Sequence, residues 1–115
     1  MNDRRRCLVM NFMFAVIVRP SHITLEFTSE NGLTPGSRVS LRFDDELPVS
    51  APQPGWRGPV AEALLRRMLA ARRVRTRTFP WPQRYAWDEE IRTGGLAEAV
   101  RYARLYVTGP PPSVP

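Results

Sequence analysis

The feature that most constrains the fold is a strict alternation of apolar and polar residues in two segments, 22–28 and 37–43. A period of two residues is typical of β-strands that are buried on one face only. The connection between the segments contains asparagine, glycine and proline, which favour a turn. The two segments therefore predict antiparallel strands that pair with each other, with Glu26 close to Arg38 or Arg42 on their polar face.

Two later segments, 60–73 and 96–107, have the 3.6-residue periodicity of amphipathic helices. Pro59 suits the first turn of the first helix, because a proline there loses no helical hydrogen bond. The segment 74–79 is rich in residues that favour strands and carries two arginines on one face. The acidic segment 86–92 can form a single helical turn before a pair of glycines.

Three further segments are defined by their proline, glycine or apolar content. Residues 8–18 form an apolar run after three arginines, like a signal peptide, but no small-residue cleavage pattern follows. The run is too short to span a bilayer, so we expect a strand buried on both faces. The segment 47–58 is rich in proline and glycine and predicts an irregular connector, and 110–115 predicts an extended, mobile tail.

Together these elements predict one α+β domain over residues 1–109, followed by the proline-rich tail at 110–115. The order is strand, strand, strand, helix, strand, helix. This order favours a mainly antiparallel sheet of about four strands with two helices packed on one face.

The amino-acid composition excludes several kinds of site but does not identify a reaction. The formal net charge is +6, and all 17 basic residues other than the histidine are arginines, which favours a polyanionic partner. A single cysteine, Cys7, and a single histidine, His22, exclude an internal disulfide and most zinc sites. We therefore expect no metal, no cofactor, no membrane association and a reducing, cytoplasmic environment. No motif identifies a reaction, and we assign no catalytic residue.

The densest functional signal lies in the segment 57–84, which holds eight arginines against one acid, Glu62. Aromatic residues are interleaved with the last of these arginines. Arginines that hold phosphates beside aromatic rings that stack on bases are typical of proteins that bind single-stranded nucleic acid. The predicted binding residues are Arg66, Arg73, Arg75, Arg77, Trp81 and Arg84.

These features favour a small, non-enzymatic binding or regulatory protein whose partner is nucleic acid or an acidic protein surface. One alternative is a small ribonuclease-like enzyme that uses His22 with arginine and a glutamate or tyrosine. Another is a structural subunit that acts in assembly. The acidic clusters 44–46 and 88–90 are interpreted as a solvated edge and the start of a helix, where carboxylates are favoured.

Overall fold

A computed structural model describes residues 5–11, 13–83 and 85–109 of the chain. The predicted tail at 110–115 and the predicted binding residue Arg84 lie outside the described residues. The described elements, in chain order, are β1 Cys7–Asn11, β2 Phe14–Val18, β3 Ile23–Phe27, β4 Arg38–Phe43, β5 Val49–Pro52, β6 Gly55–Arg57, α1 Gly58–Ala70, β7 Val74–Thr78, β8 Trp87–Ile91 and α2 Leu96–Thr108.

The strands form two four-stranded sheets in which all neighbours are antiparallel. The first sheet has the order β1-β2-β3-β6, and the second has the order β5-β4-β7-β8. The α+β class, the antiparallel pairing and the two helices are confirmed. The number of strands differs from the prediction, because eight strands in two sheets replace the single sheet of about four strands. The additional strands lie in the segments 8–18, 47–58 and 86–92, whose composition did not predict them.

Both helices pack on the first sheet, α1 mainly against β3 and β6 and α2 mainly against β1 and β2. Neither described helix is long and apolar enough to cross a membrane. Val60, in the first turn of α1, is mostly exposed, and the helix buries Ala61, Leu64, Leu65 and Met68 instead. Side chains of both helices join inward-facing residues of both sheets in one hydrophobic cluster, which includes Leu64, Leu65, Met68, Val100, Ala103, Val107, Val16, Leu25, Leu41 and Val74.

The segment 8–18 forms a hairpin, so the prediction of a single strand is wrong. Asn11 and Phe14 are cross-strand partners at the reversal, and Cys7 pairs with Val18 at the open end. All five residues of β2 are buried, as expected for a central strand. The hairpin was missed because no glycine, proline or charged residue marks the reversal.

The alternating segments do form strands β3 and β4, but they do not pair with each other. Glu26 has Ala15 and Gly55 as cross-strand partners, so its predicted pairing with Arg38 or Arg42 is wrong. β3 instead pairs with β2 across a four-residue turn. The short connection to β2 costs little loop-closure entropy. The other edge of β3 pairs with β6 rather than with β4.

The segment 47–58 contains two strands, β5 and β6, and the prediction of an irregular connector is wrong. Each of these strands lies at the edge of its sheet. An edge strand needs inward hydrogen bonds along one side only, so it tolerates prolines that a central strand would exclude. Pro52 is the last residue of β5, and Pro54 follows before β6 begins.

Candidate anion-binding face of the second sheet

The outward face of the second sheet carries arginines on two neighbouring strands. Alternate residues of a strand point to the same face, so β4 and β7 each present polar side chains outward and apolar ones or threonines to the interior. The register sets Arg42 opposite Arg75 and Ser40 opposite Arg77. We call this surface the arginine face, and its arginines are Arg38, Arg42, Arg73, Arg75 and Arg77.

Strand β8 brings carboxylates to the same face, which corrects the interpretation of 88–90 as the start of a helix. Asp88 is the cross-strand partner of Arg77, and Glu90 that of Arg75. Arg77 donates two hydrogen bonds to Asp88, from Nε at 2.7 Å and from Nη2 at 2.8 Å, and Arg73 pairs with Glu90. These cross-strand contacts stabilise β8 as a strand.

The acidic cluster 44–46 also holds arginines rather than forming only a solvated edge. One carboxylate oxygen of Asp44 accepts the backbone N–H groups of Arg72 and Arg73, both at 2.9 Å. The Asp44 carbonyl oxygen accepts Arg75 Nη2 at 2.8 Å. This cluster therefore fixes the connection between α1 and β7 and orients the first arginines of the face.

A groove of about 380 Å³ runs over this face between β4, β7 and β8. The Nε–H of Arg75 is buried in its vicinity and has no hydrogen-bond partner among the described residues. Arg42 donates from Nε to the backbone carbonyl oxygen of Glu46 at 3.0 Å. The groove is lined by Ser40, Arg42, Pro48, Arg73, Arg75, Thr76, Arg77, Asp88, Glu89 and Glu90.

The Arg77–Asp88 pair has a defined dependence on pH. The hydrogen bonds from Arg77 lower the pKa of Asp88, and the same contact raises the pKa of Arg77. A carboxyl group whose pKa is lower in the folded state stabilises the fold above its unfolded pKa of about 3.9. This stabilisation is lost as the pH falls through the lower, folded pKa.

We therefore expect Asp88→Asn to reduce the free energy of unfolding at neutral pH by no more than about 1 kcal/mol, because both side chains are more than half exposed. The difference from the wild type should decline as the pH falls below about 3.9 and disappear only below the lower, folded pKa of Asp88. Urea unfolding of both proteins at neutral pH and over a series of acidic pH values measures this. A difference that grows in acid would contradict the assignment.

Exposed aromatic side chains lie in the connection between β7 and β8, beyond the end of the arginine face. Trp81 is 50% exposed and Tyr85 61% exposed. The Trp81 backbone N–H donates to the Gly32 carbonyl oxygen at 2.9 Å, and the Thr34 N–H donates to the Phe79 carbonyl oxygen at 2.7 Å. The connection is thus tied to the turn before β4, although neither exposed ring lines the groove.

The structure brings together three of the predicted binding residues, Arg73, Arg75 and Arg77, and places Trp81 beyond the end of their strand. Arg66 lies on the exposed side of α1 and does not line the groove. Arg42 is not among the predicted binding residues, although it lies on the polar side of the alternating segment 37–43. Its role depends on the pairing of β4 with β7, which no local pattern reveals.

His22, the residue around which the alternative site was predicted, lies in the turn just before β3. Its Nδ1 lies 3.0 Å from the Ser21 hydroxyl, and its Nε2 is buried with no hydrogen-bond partner among the described residues. No described carboxylate or tyrosine hydroxyl forms a hydrogen bond with the ring. Within the described ranges, no three histidine, cysteine, aspartate or glutamate side chains are grouped to hold a metal ion.

Comparison of the chain with protein families, with curated proteins and with solved structures finds no significant match.

Proposed function

We propose that this chain is a non-enzymatic binding protein that engages a polyanion through the arginine face, with single-stranded nucleic acid as its first partner. The observation that carries the proposal is the arrangement of Arg42, Arg75 and Arg77 on two adjacent strands of an uncovered sheet surface. Arginine side chains present planar donors that match phosphate oxygens. The chain's net charge of +6 would attract a polyanion from a distance.

The ion pairs on this face are compatible with ligand binding. Arg77 and Asp88 are each more than half exposed, as are Arg73 and Glu90. Exposed pairs contribute about 0–1 kcal/mol each, so an incoming phosphate can displace a carboxylate at little cost.

The direction of β7 favours an extended ligand. Arg75 and Arg77 are two residues apart on one face, a separation of about 6.7 Å along the strand. A single strand that follows these arginines away from α1 would arrive at the connection that carries Trp81 and Tyr85. Base stacking on such exposed rings is independent of sequence, which favours a general single-strand binder.

An acidic protein surface is the second candidate, and one specific observation favours it. Asp88 and Glu90 already show carboxylates of an extended strand in contact with Arg77 and Arg73. A partner that presents acidic residues on a strand would make the same contacts, and the chain would then act as a regulator or inhibitor. For either partner we expect a reducing compartment, since Cys7 is a free thiol.

The Trp81→Ala variant tests the nucleic-acid proposal. Because Trp81 is half exposed, we expect little change in stability and a loss of about 1–3 kcal/mol in the free energy of binding to a labelled single strand. Fluorescence anisotropy measures the binding, and urea unfolding checks the stability. Tyr102→Ala, an exposed aromatic on α2, is the matched control and should bind like the wild type. Equal binding by both variants would favour the acidic protein partner.

A further inference from the structure

A pair of like charges on the arginine face points to a missing ligand. Arg42 and Arg75 are direct cross-strand partners and both line the groove. Like charges directly opposite each other in a sheet are destabilising. Arg42 donates to the carbonyl oxygen of Glu46 and has no ion pair with a described carboxylate. Arg75 lies 3.8 Å from the carboxylate of Asp45, which is fully exposed.

A donor without an acceptor lies at the same place. The Nε–H of Arg75 is buried without a hydrogen-bond partner among the described residues, although buried donors are nearly always paired. Ser40 lies on the same face two residues before Arg42, and it also lines the groove. Two arginines and one serine therefore line a common groove, with a buried, unpaired donor beside it.

We propose that Arg42 and Arg75, with Ser40, form a subsite for one phosphate group. A phosphate between the two guanidinium groups would offset their repulsion and supply an acceptor for Arg75 Nε. The tetrahedral oxygens of a phosphate can accept from donors on several sides, whereas the two oxygens of a carboxylate lie in one plane. The identity of the whole ligand rests on the proposed function. In a bound nucleic acid, this phosphate would be one group of the backbone.

Inorganic phosphate is the probe, and the NMR signal of the Arg75 Nε–H group in the full chain is the readout. Phosphate replaces chloride at constant ionic strength. We expect a saturable shift with a Kd on the order of 1 mM. Arg42→Gln should weaken this binding by at least about tenfold. Arg101→Gln makes the same charge change at an exposed position on α2, outside the groove, and should leave the Kd within about twofold.

A second variant keeps the proposal testable if Arg42→Gln does not fold. Arg42→Lys retains the charge but loses the planar donors, and it should weaken phosphate binding to an intermediate extent. No saturable shift in the wild type, or an equal loss in Arg101→Gln, would overturn the subsite. Acetate that binds as tightly as phosphate would overturn the choice of ligand.

Different experimental results would refute the phosphate subsite and the proposed function. A chain that binds phosphate at Arg42 and Arg75 but binds no single strand would retain the subsite and refute the nucleic-acid proposal. A chain that binds single strands with undiminished affinity after Arg42→Gln would refute the subsite and retain the proposed function.

Discussion

Gly55→Ala is expected to destabilise the fold by at least about 3 kcal/mol, a large part of the total stability of a small domain. Gly55 is the first residue of β6 and has a φ of 148°, which L side chains rarely adopt. A Cβ at this position would lie well inside van der Waals contact of the Leu25 carbonyl oxygen. Because β6 continues directly into α1, its displacement would also disturb the packing of that helix.

Urea unfolding followed by circular dichroism measures the effect, and Gly94→Ala is the matched control. Gly94 lies in the turn before α2, and a Cβ there would meet no atom within 4 Å. We expect the control to stay within about 0.5 kcal/mol of the wild type. Equal stabilities for the Gly55→Ala variant and the wild type would contradict the pairing of β6 with β3.

Replacement of both Arg75 and Arg77 by glutamine is expected to weaken binding of a single strand by about 10- to 100-fold. Arg77 would contact one phosphate and Arg75 a second one that it shares with Arg42, so the dependence of log K on log salt should become shallower by about 0.7 to 1.4. The fold should persist, since both side chains lie on the open face and neither belongs to the hydrophobic cluster. Fluorescence anisotropy at several salt concentrations measures both quantities.

Two further variants distinguish the loss of a local contact from the effect of a lower net charge on binding. Arg57→Gln/Arg101→Gln removes the same charge from exposed positions on β6 and α2, and it should change the affinity much less. Asp88→Asn should act in the opposite direction by freeing Arg77, with a gain of about two- to fivefold. Equal losses in the two double variants would show that net charge alone, and not the arginine face, attracts the ligand.

The elements that the sequence predicted correctly are those with a local pattern. Alternation in 22–28, 37–43 and 74–79 identified β3, β4 and β7, because a strand at a core boundary repeats every two residues. Helical periodicity identified α1 and α2 within a few residues of their ends. Each of these patterns depends only on neighbours along the chain, so it is readable without knowledge of the fold.

The candidate site was only partly predictable, since it depends on contacts between distant segments. Arg75 and Arg77 were identified from their local spacing. Arg42 joins them only because β4 pairs with β7, across more than thirty residues of chain. The acidic strand β8 was missed for the same reason: its carboxylates favour a helix start in isolation, and their arginine partners lie on another strand.

The salt dependence of single-strand binding by the wild-type chain tests the central claim most directly. A labelled single strand is titrated at several salt concentrations, and the slope of log K against log salt is determined. With one phosphate held between Arg42 and Arg75 and a second at Arg77, we expect tight binding at low salt and a slope near −1.4, from about −0.7 per phosphate. Absence of binding at low salt, or a slope near zero, would contradict a nucleic-acid ligand on the arginine face.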